Sequence, residues 1–160
     1  DVLFMPFYYQ EAALVITQAE AAGLDVTYFG VDGMDGIIEQ MGEANKEMTE
    51  GILLLTPFVA SSTDEKISSF VKNYEAAFKM TPSQFAADAY DAIYTIKAAM
   101  EKAEIKDVDD KELNAKLIDA MTKIEVDGVT GKMTWDANGE PTKSAQAVVI
   151  KDGAYAEYTD

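Results

Sequence analysis

The sequence predicts an α/β fold built on a parallel sheet, from three observations in the first third of the chain. Residues 1–6 and 26–31 are short β-rich runs, and between them residues 10–22 carry Ala12, Val15, Ile16, Ala19 and Ala22 at helical spacing. A third apolar run, GILLLT at 51–56, ends at Pro57. A strand-helix-strand unit of this length is almost always a right-handed crossover, so its two strands are expected to lie parallel.

Each element has a local reason. Residues 1–6 are too few for a helix and are bounded by a proline, which predicts a buried strand. Gly23 supplies the stop for the helix over 10–22. A helix over 34–45 is expected with Ile37, Ile38 and Met41 on one side, interrupted by Gly36 and Gly42. From 64 to 79, Ile67, Phe70, Val71, Tyr74 and Phe78 repeat as the apolar face of an amphipathic helix. Thr81 before Pro82 reads as an N-cap with proline at the first helical position. The helix it starts is expected to reach about Ala103 and to bury Phe85, Ala89, Ile93, Ile96 and Met100. After an acidic linker, a shorter helix over 110–123 turns Leu113, Leu117 and Met121 inward. Strands are expected at 131–135, 145–151 and 155–158, separated by turn chemistry at 136–141 and at Asp152-Gly153.

Composition removes whole classes of chemistry. Cysteine and histidine are both absent, which excludes thiolate nucleophiles, Cys/His zinc sites and Ser-His-Asp triads. Thirteen basic against 29 acidic residues leave a formal charge of −16, the wrong sign for nucleic acid or an anionic membrane. The stretch Asp136-Ala137-Asn138-Gly139 begins like a calcium loop, but Ala147 stands where the twelfth-position glutamate belongs. GVTGK at 128–132 lacks the spacing and the Ser/Thr of a phosphate-binding loop. Nothing calls for a cofactor or a metal. The enzymatic option left is a pair of carboxylates acting as acid and base, which requires two acids facing each other across one pocket.

Open α/β sheets bind ligands beyond the carboxyl ends of their strands. Tyr8 and Tyr9 follow the first strand and Asp32 follows the second, so these residues are the candidate site. Strand alternation lets only one of the two tyrosines face the crevice. Asp32 has a competing reading as the N-cap of the following helix, a task for which Asp35 is also available. A carboxylate beside a tyrosine suits an ammonium group, through charge-assisted hydrogen bonds and contact with the ring. The ligand so implied is a cationic or zwitterionic small molecule.

The chain also resembles a known family. Phe7-Tyr8-Tyr9, Gln18-Ala19, Ala22-Gly23-Leu24, FGVDG at 29–33, Glu50-Gly51-Ile52, the Phe70, Tyr74, Phe78 helix, Tyr90-Asp91-Ala92 and GVTGKMTWDANG at 128–139 occur in order. Together they resemble the later half of the branched-chain amino-acid binding proteins, the type I solute-binding proteins that feed ABC importers. The resemblance implies a periplasmic-binding-protein-like fold, with two Rossmann-like lobes that close on the ligand like a hinged trap. On that pattern residues 1–57 belong to the second lobe, 58–141 to the first, and 142–160 return to the second. Tyr8 then matches a tyrosine lining the cleft, Asp32 the acid that holds the ligand's α-ammonium, and Phe85 an aromatic near the ligand's side chain. An extracytoplasmic location and an ABC permease as partner are implied likewise, although no signal or anchor lies in this chain. A ligand-sensing domain of a receptor or regulator with the same fold is the alternative.

The chain opens on a strand residue rather than a methionine, which suggests the later part of a longer protein. The family's opening half, which grips the ligand's carboxylate, has no counterpart in these residues. The expectation is that the chain does not bind tightly alone and pairs with the missing half or with a second copy of itself. Apolar helix faces between 64 and 123 would drive such an association.

Overall fold

The computed structural model describes residues 1–158. In chain order the elements are β1 (Val2–Met5), α1 (Tyr9–Ala21), β2 (Thr27–Gly30), α2 (Ile37–Met41), β3 (Leu53–Thr56), α3 (Glu65–Phe78), α4 (Gln84–Lys102), α5 (Leu113–Met121), β4 (Val126–Gly128), β5 (Gly131–Met133), β6 (Gln146–Lys151) and β7 (Ala154–Glu157). Single 3-10 turns at Asp32–Met34 and Lys46–Thr49 flank α2. The chain divides into two compact units, Asp1–Gln84 with the residues from Ala145 onward, and Phe85–Ser144. This is a division by compactness, different in kind from the lobe boundaries expected at 57/58 and 141/142.

The first unit is an α/β layer on a five-stranded sheet of order β1-β2-β3-β6-β7. β1 and β2 are parallel, as expected of the crossover unit, and β3 joins them parallel, while β6 and β7 return antiparallel. Its core joins Met5, Ile16, Ile37, Ile52, Leu54, Val148 and Ile150, so α1 and α2 cover one face of the sheet. In β6, Val148 and Ile150 are buried, while Ala147 and Lys151 on the other face are exposed and Val149 is half-buried. β1 is an edge strand, and here the expectation of a buried strand is corrected. Only Met5 is fully enclosed; Val2 and Phe4 are exposed, with the Phe4 ring 5.5 Å from that of Phe29 and tilted to it by 40°. An edge strand whose second face has no covering layer among the described residues keeps only its inward residues dry. α2 is far shorter than expected, because Gly36 and Gly42 bound it. α3 starts at Asp64, whose carboxylate accepts from the Lys66 and Ile67 amides at 2.9 and 3.1 Å, a side-chain N-cap.

The second unit is built around α4, and two expectations change. The helix starts at Gln84 rather than at Pro82, and the Thr81 hydroxyl bonds the Glu75 carboxylate instead of capping it. Its buried line is Ala87, Asp91, Thr95 and Ala99, whereas Phe85, Ala89, Ile93 and Ile96 are exposed and Met100 is half-buried. The reason is Asp91. It lies buried and accepts the Val129 amide at 2.9 Å, the Thr130 amide at 2.8 Å and the Thr130 hydroxyl at 2.6 Å, and so fixes that face of α4 onto the β4–β5 hairpin. A side chain on Gly128 would lie 2.2 Å from the same carboxylate, so the turn takes only glycine there. β4 has no expectation behind it, since Val126-Asp127-Gly128 is too short to show alternation. The turn at 136–141 stands: Asp136 accepts the Asn138 and Glu140 amides at 2.8 and 2.9 Å. α5 is trimmed because Asp110 accepts the Glu112 amide at 2.9 Å in a turn of its own; Leu113, Leu117 and Met121 are half-buried. Ile93, Ile96, Met100 and Ile105 line an open apolar groove rimmed by Lys97 and Glu101.

Candidate functional site

Because β1, β2 and β3 run parallel, their carboxyl ends share one edge of the sheet. The residues leaving that edge are Phe7-Tyr8 before α1, the turn Asp32–Met34 after β2, and Thr56 at the end of β3. Tyr8 and Tyr9 are separated by the start of α1, and not by strand alternation. Tyr8 takes the extended N-cap position and is 65% exposed, its carbonyl accepting the Ala12 amide at 3.0 Å. Tyr9 enters the helix and packs half-buried against the core. Gly33 joins the two loops. A Cβ on Gly33 would stand 2.9 Å from the Phe7 carbonyl and 3.4 Å from the Tyr8 ring, so only glycine lets the Asp32 turn lie this close to Tyr8.

Two aspartates in that turn have opposite surroundings. Asp32 is exposed, and among the described residues its carboxylate makes no hydrogen bond or ion pair. It is therefore not the local backbone cap. Asp35 is 7% exposed and accepts the main-chain amide of Gln84 at 2.5 Å, so it caps α4 from a distance instead of capping its own helix. Burial raises the Asp35 carboxyl above its usual range, against the hydrogen bonds from Gln84 and Tyr155 that favour the charged form. The Tyr155 hydroxyl, donating to Asp35, accepts the Gly36 amide at 2.9 Å. Burial, and then the Asp35 charge, push its own proton loss upward.

Gln84 completes the network. It is 1% exposed, and its Nε2 donates to the Asp32 carbonyl, which also receives the Asp35 amide at 3.0 Å. A carbonyl only accepts, so the carboxamide is oriented with Nε2 toward Asp32 and Oε1 toward Thr56. The Thr56 hydroxyl donates to that oxygen at 3.0 Å. Asp35, Gln84, Thr56 and Tyr155 escape sequence reasoning as site residues. Only the three-residue spacing of Asp32 and Asp35, already weighed as competing caps, pointed toward them.

Tyr8 and Asp32 thus leave the same end of the sheet, and Gly33, which follows Asp32, lies against the Phe7 carbonyl and the Tyr8 ring. Phe85, the third expected site residue, is half-exposed and opens the second compact unit, directly after Gln84 in the chain. Among the described residues no group of three or more acids is arranged to hold a metal ion. The acid nearest to Asp32 in sequence, Asp35, is buried and hydrogen-bonded to the Gln84 amide.

Comparison with known proteins gives the family of the chain. The periplasmic binding protein family model matches residues 1–154. The chain belongs to this family. It is 27% identical over 143 residues to the Leu/Ile/Val-binding protein of Escherichia coli (strain K12), covering 88% of this chain and 35% of that protein. Among solved structures, the leucine binding protein of Thermotoga maritima superposes with a TM-score of 0.80 at 25% identity, covering 99% of this chain and 43% of that one. The branched-chain amino acid transporter substrate binding protein of Streptococcus pneumoniae, in complex with isoleucine, gives 0.78 at 28% identity, covering 97% and 42%. The chain therefore spans about a third of the length of the curated relative it matches. Its family and fold are those of binding proteins, not of enzymes.

Proposed function

We propose that the chain is the later part of a two-lobed solute-binding protein that captures an amino acid, a branched-chain one first among candidates, for an ABC importer outside the cytoplasm. Residues 1–57 and 142–160 contribute to one lobe and 58–141 to the other. The observation that carries the reading is the exposed Asp32 carboxylate, without a protein partner among the described residues, beside the exposed ring of Tyr8. A carboxylate left unengaged at a sheet edge meets an α-ammonium with charge-assisted hydrogen bonds, and the tyrosine covers the pair. The names of the relatives support the ligand class.

Phe85 supplies an apolar contact to the ligand's side chain. The carboxylate end of the zwitterion is held by the other part of the protein, because burying it unpaired is costly. Closure follows from that division of labour: a ligand held from both lobes binds the closed state better than the open one and shifts the population toward it. A permease then recognises the closed form.

A thermal-shift screen of the amino acids against the full-length protein, repeated with Asp32→Ala, tests the reading. Leucine, isoleucine or valine should raise the melting temperature of the wild type, and the substitution should abolish the rise. A rise that survives Asp32→Ala would remove the acid from the site.

A further inference from the structure

Asp32 sits on a turn with few bonds of its own, yet a carboxylate must be held in place to select an ammonium. What holds it comes from Gln84, 52 positions further along the chain. The Gln84 carboxamide takes the Asp32 carbonyl, and the Gln84 main-chain amide takes the Asp35 carboxylate at 2.5 Å. One residue therefore grips both ends of the turn. Each grip is itself locked: Oε1 by the Thr56 hydroxyl at 3.0 Å, which in turn accepts the Phe58 amide at 3.2 Å, and Asp35 by the Tyr155 hydroxyl. On its far side the turn is stopped by the Phe7 carbonyl, 2.9 Å from where a Gly33 Cβ would stand.

We infer that Gln84 is a positioning residue for recognition of the ligand's ammonium group, acting through the main chain of Asp32 and not by touching the ligand. Its chemistry fits the task. The carboxamide presents a donor to the Asp32 carbonyl and an acceptor to the Thr56 hydroxyl on one rigid plane, which neither a carboxylate nor an aliphatic chain supplies. Full burial removes competing water, so the two bonds are kept only in this geometry. Without them the Asp32 carbonyl loses a partner, the turn loosens, and the carboxylate samples directions that miss the ammonium. The residue is thus selective for a charge it never meets.

The inference rests on the assignment of Asp32 to the ammonium, and the experiment separates the two. Calorimetric titrations of the full-length protein use L-leucine and 4-methylpentanoate, which is leucine without its ammonium group. The wild type should prefer leucine, and Asp32→Asn should erase that preference; a wild type without the preference, or an Asp32→Asn protein that keeps it, overturns the assignment and the inference with it. Gln84→Met, close in volume and without polar atoms, should lower leucine affinity by about 10-fold while leaving 4-methylpentanoate affinity unchanged. Thr56→Val, which removes the lock on Oε1 together with the hydroxyl's bonds to the Phe58 main chain, should move the same ratio in the same direction by less, and it serves in place of Gln84→Met should that variant not fold. If Asp32→Asn erases the preference but the Gln84 and Thr56 variants keep the wild-type ratio, or lose affinity for both ligands equally, Gln84 is structural only and the inference fails.

Discussion

Within one four-residue turn, Asp32 and Asp35 divide between recognition and architecture according to what surrounds them. Asp32 stands exposed and unengaged, while Asp35 is buried against the Gln84 amide and the Tyr155 hydroxyl. Burial holds the Asp35 carboxyl above its ordinary value of 3.8, so folding favours its protonated form. A group raised in this way contributes its full stability below the unfolded value and loses it as pH climbs through the folded one. The stability of the wild type relative to Asp35→Asn should therefore be greatest below pH 3.8 and decline as the pH is raised toward neutrality. Denaturant melts of the two proteins across that range measure it. A difference that grows with pH would mean that the hydrogen bonds outweigh burial. The sequence carries the presence of two acids after the second strand, but not their roles. Those depend on Gln84, which meets the turn only in the folded chain.

At the scale of elements, the order of helices and strands is legible because apolar periodicity is local. The parallel trio β1, β2 and β3 and the helices α1, α3 and α4 all stand where spacing puts them. The face a helix buries is less local, as α4 demonstrates. Reading the apolar residues alone turns Ile93 and Ile96 inward, yet Asp91 anchors the opposite choice because three donors of the β4–β5 turn converge on it. This also explains why Tyr90-Asp91-Ala92 and the GVTG stretch occur together: they are two halves of one contact. Gly128→Ala would press a methyl group against the Asp91 carboxylate, and overpacking of this kind costs about 1–3 kcal/mol. Chemical denaturation should find that loss. A Gly128→Ala protein as stable as the wild type would mean that the hairpin is free to move away from α4.

For the molecule as a whole, the exposed apolar residues among those described include two groups that lie together. One is the second face of the edge strand β1, with Val2 and Phe4; the other is the groove of Ile93, Ile96, Met100 and Ile105 on α4. Apolar surface of this extent is usually an interface, in line with a chain that spans 35% of its Escherichia coli relative. The isolated 160-residue chain is accordingly expected to self-associate, with the formal charge of −16 opposing association most at low salt. Light scattering should show mass rising with concentration, and Ile93→Glu with Ile96→Glu should reduce it. A monomer at every concentration would contradict this. The central claim is the pairing of Asp32 with an α-ammonium, and a crystal structure of the full-length protein with bound leucine tests it most directly. The leucine nitrogen should lie within about 3 Å of an Asp32 carboxylate oxygen, under the Tyr8 ring. A nitrogen held by a different acid, with Asp32 turned to solvent, would contradict it.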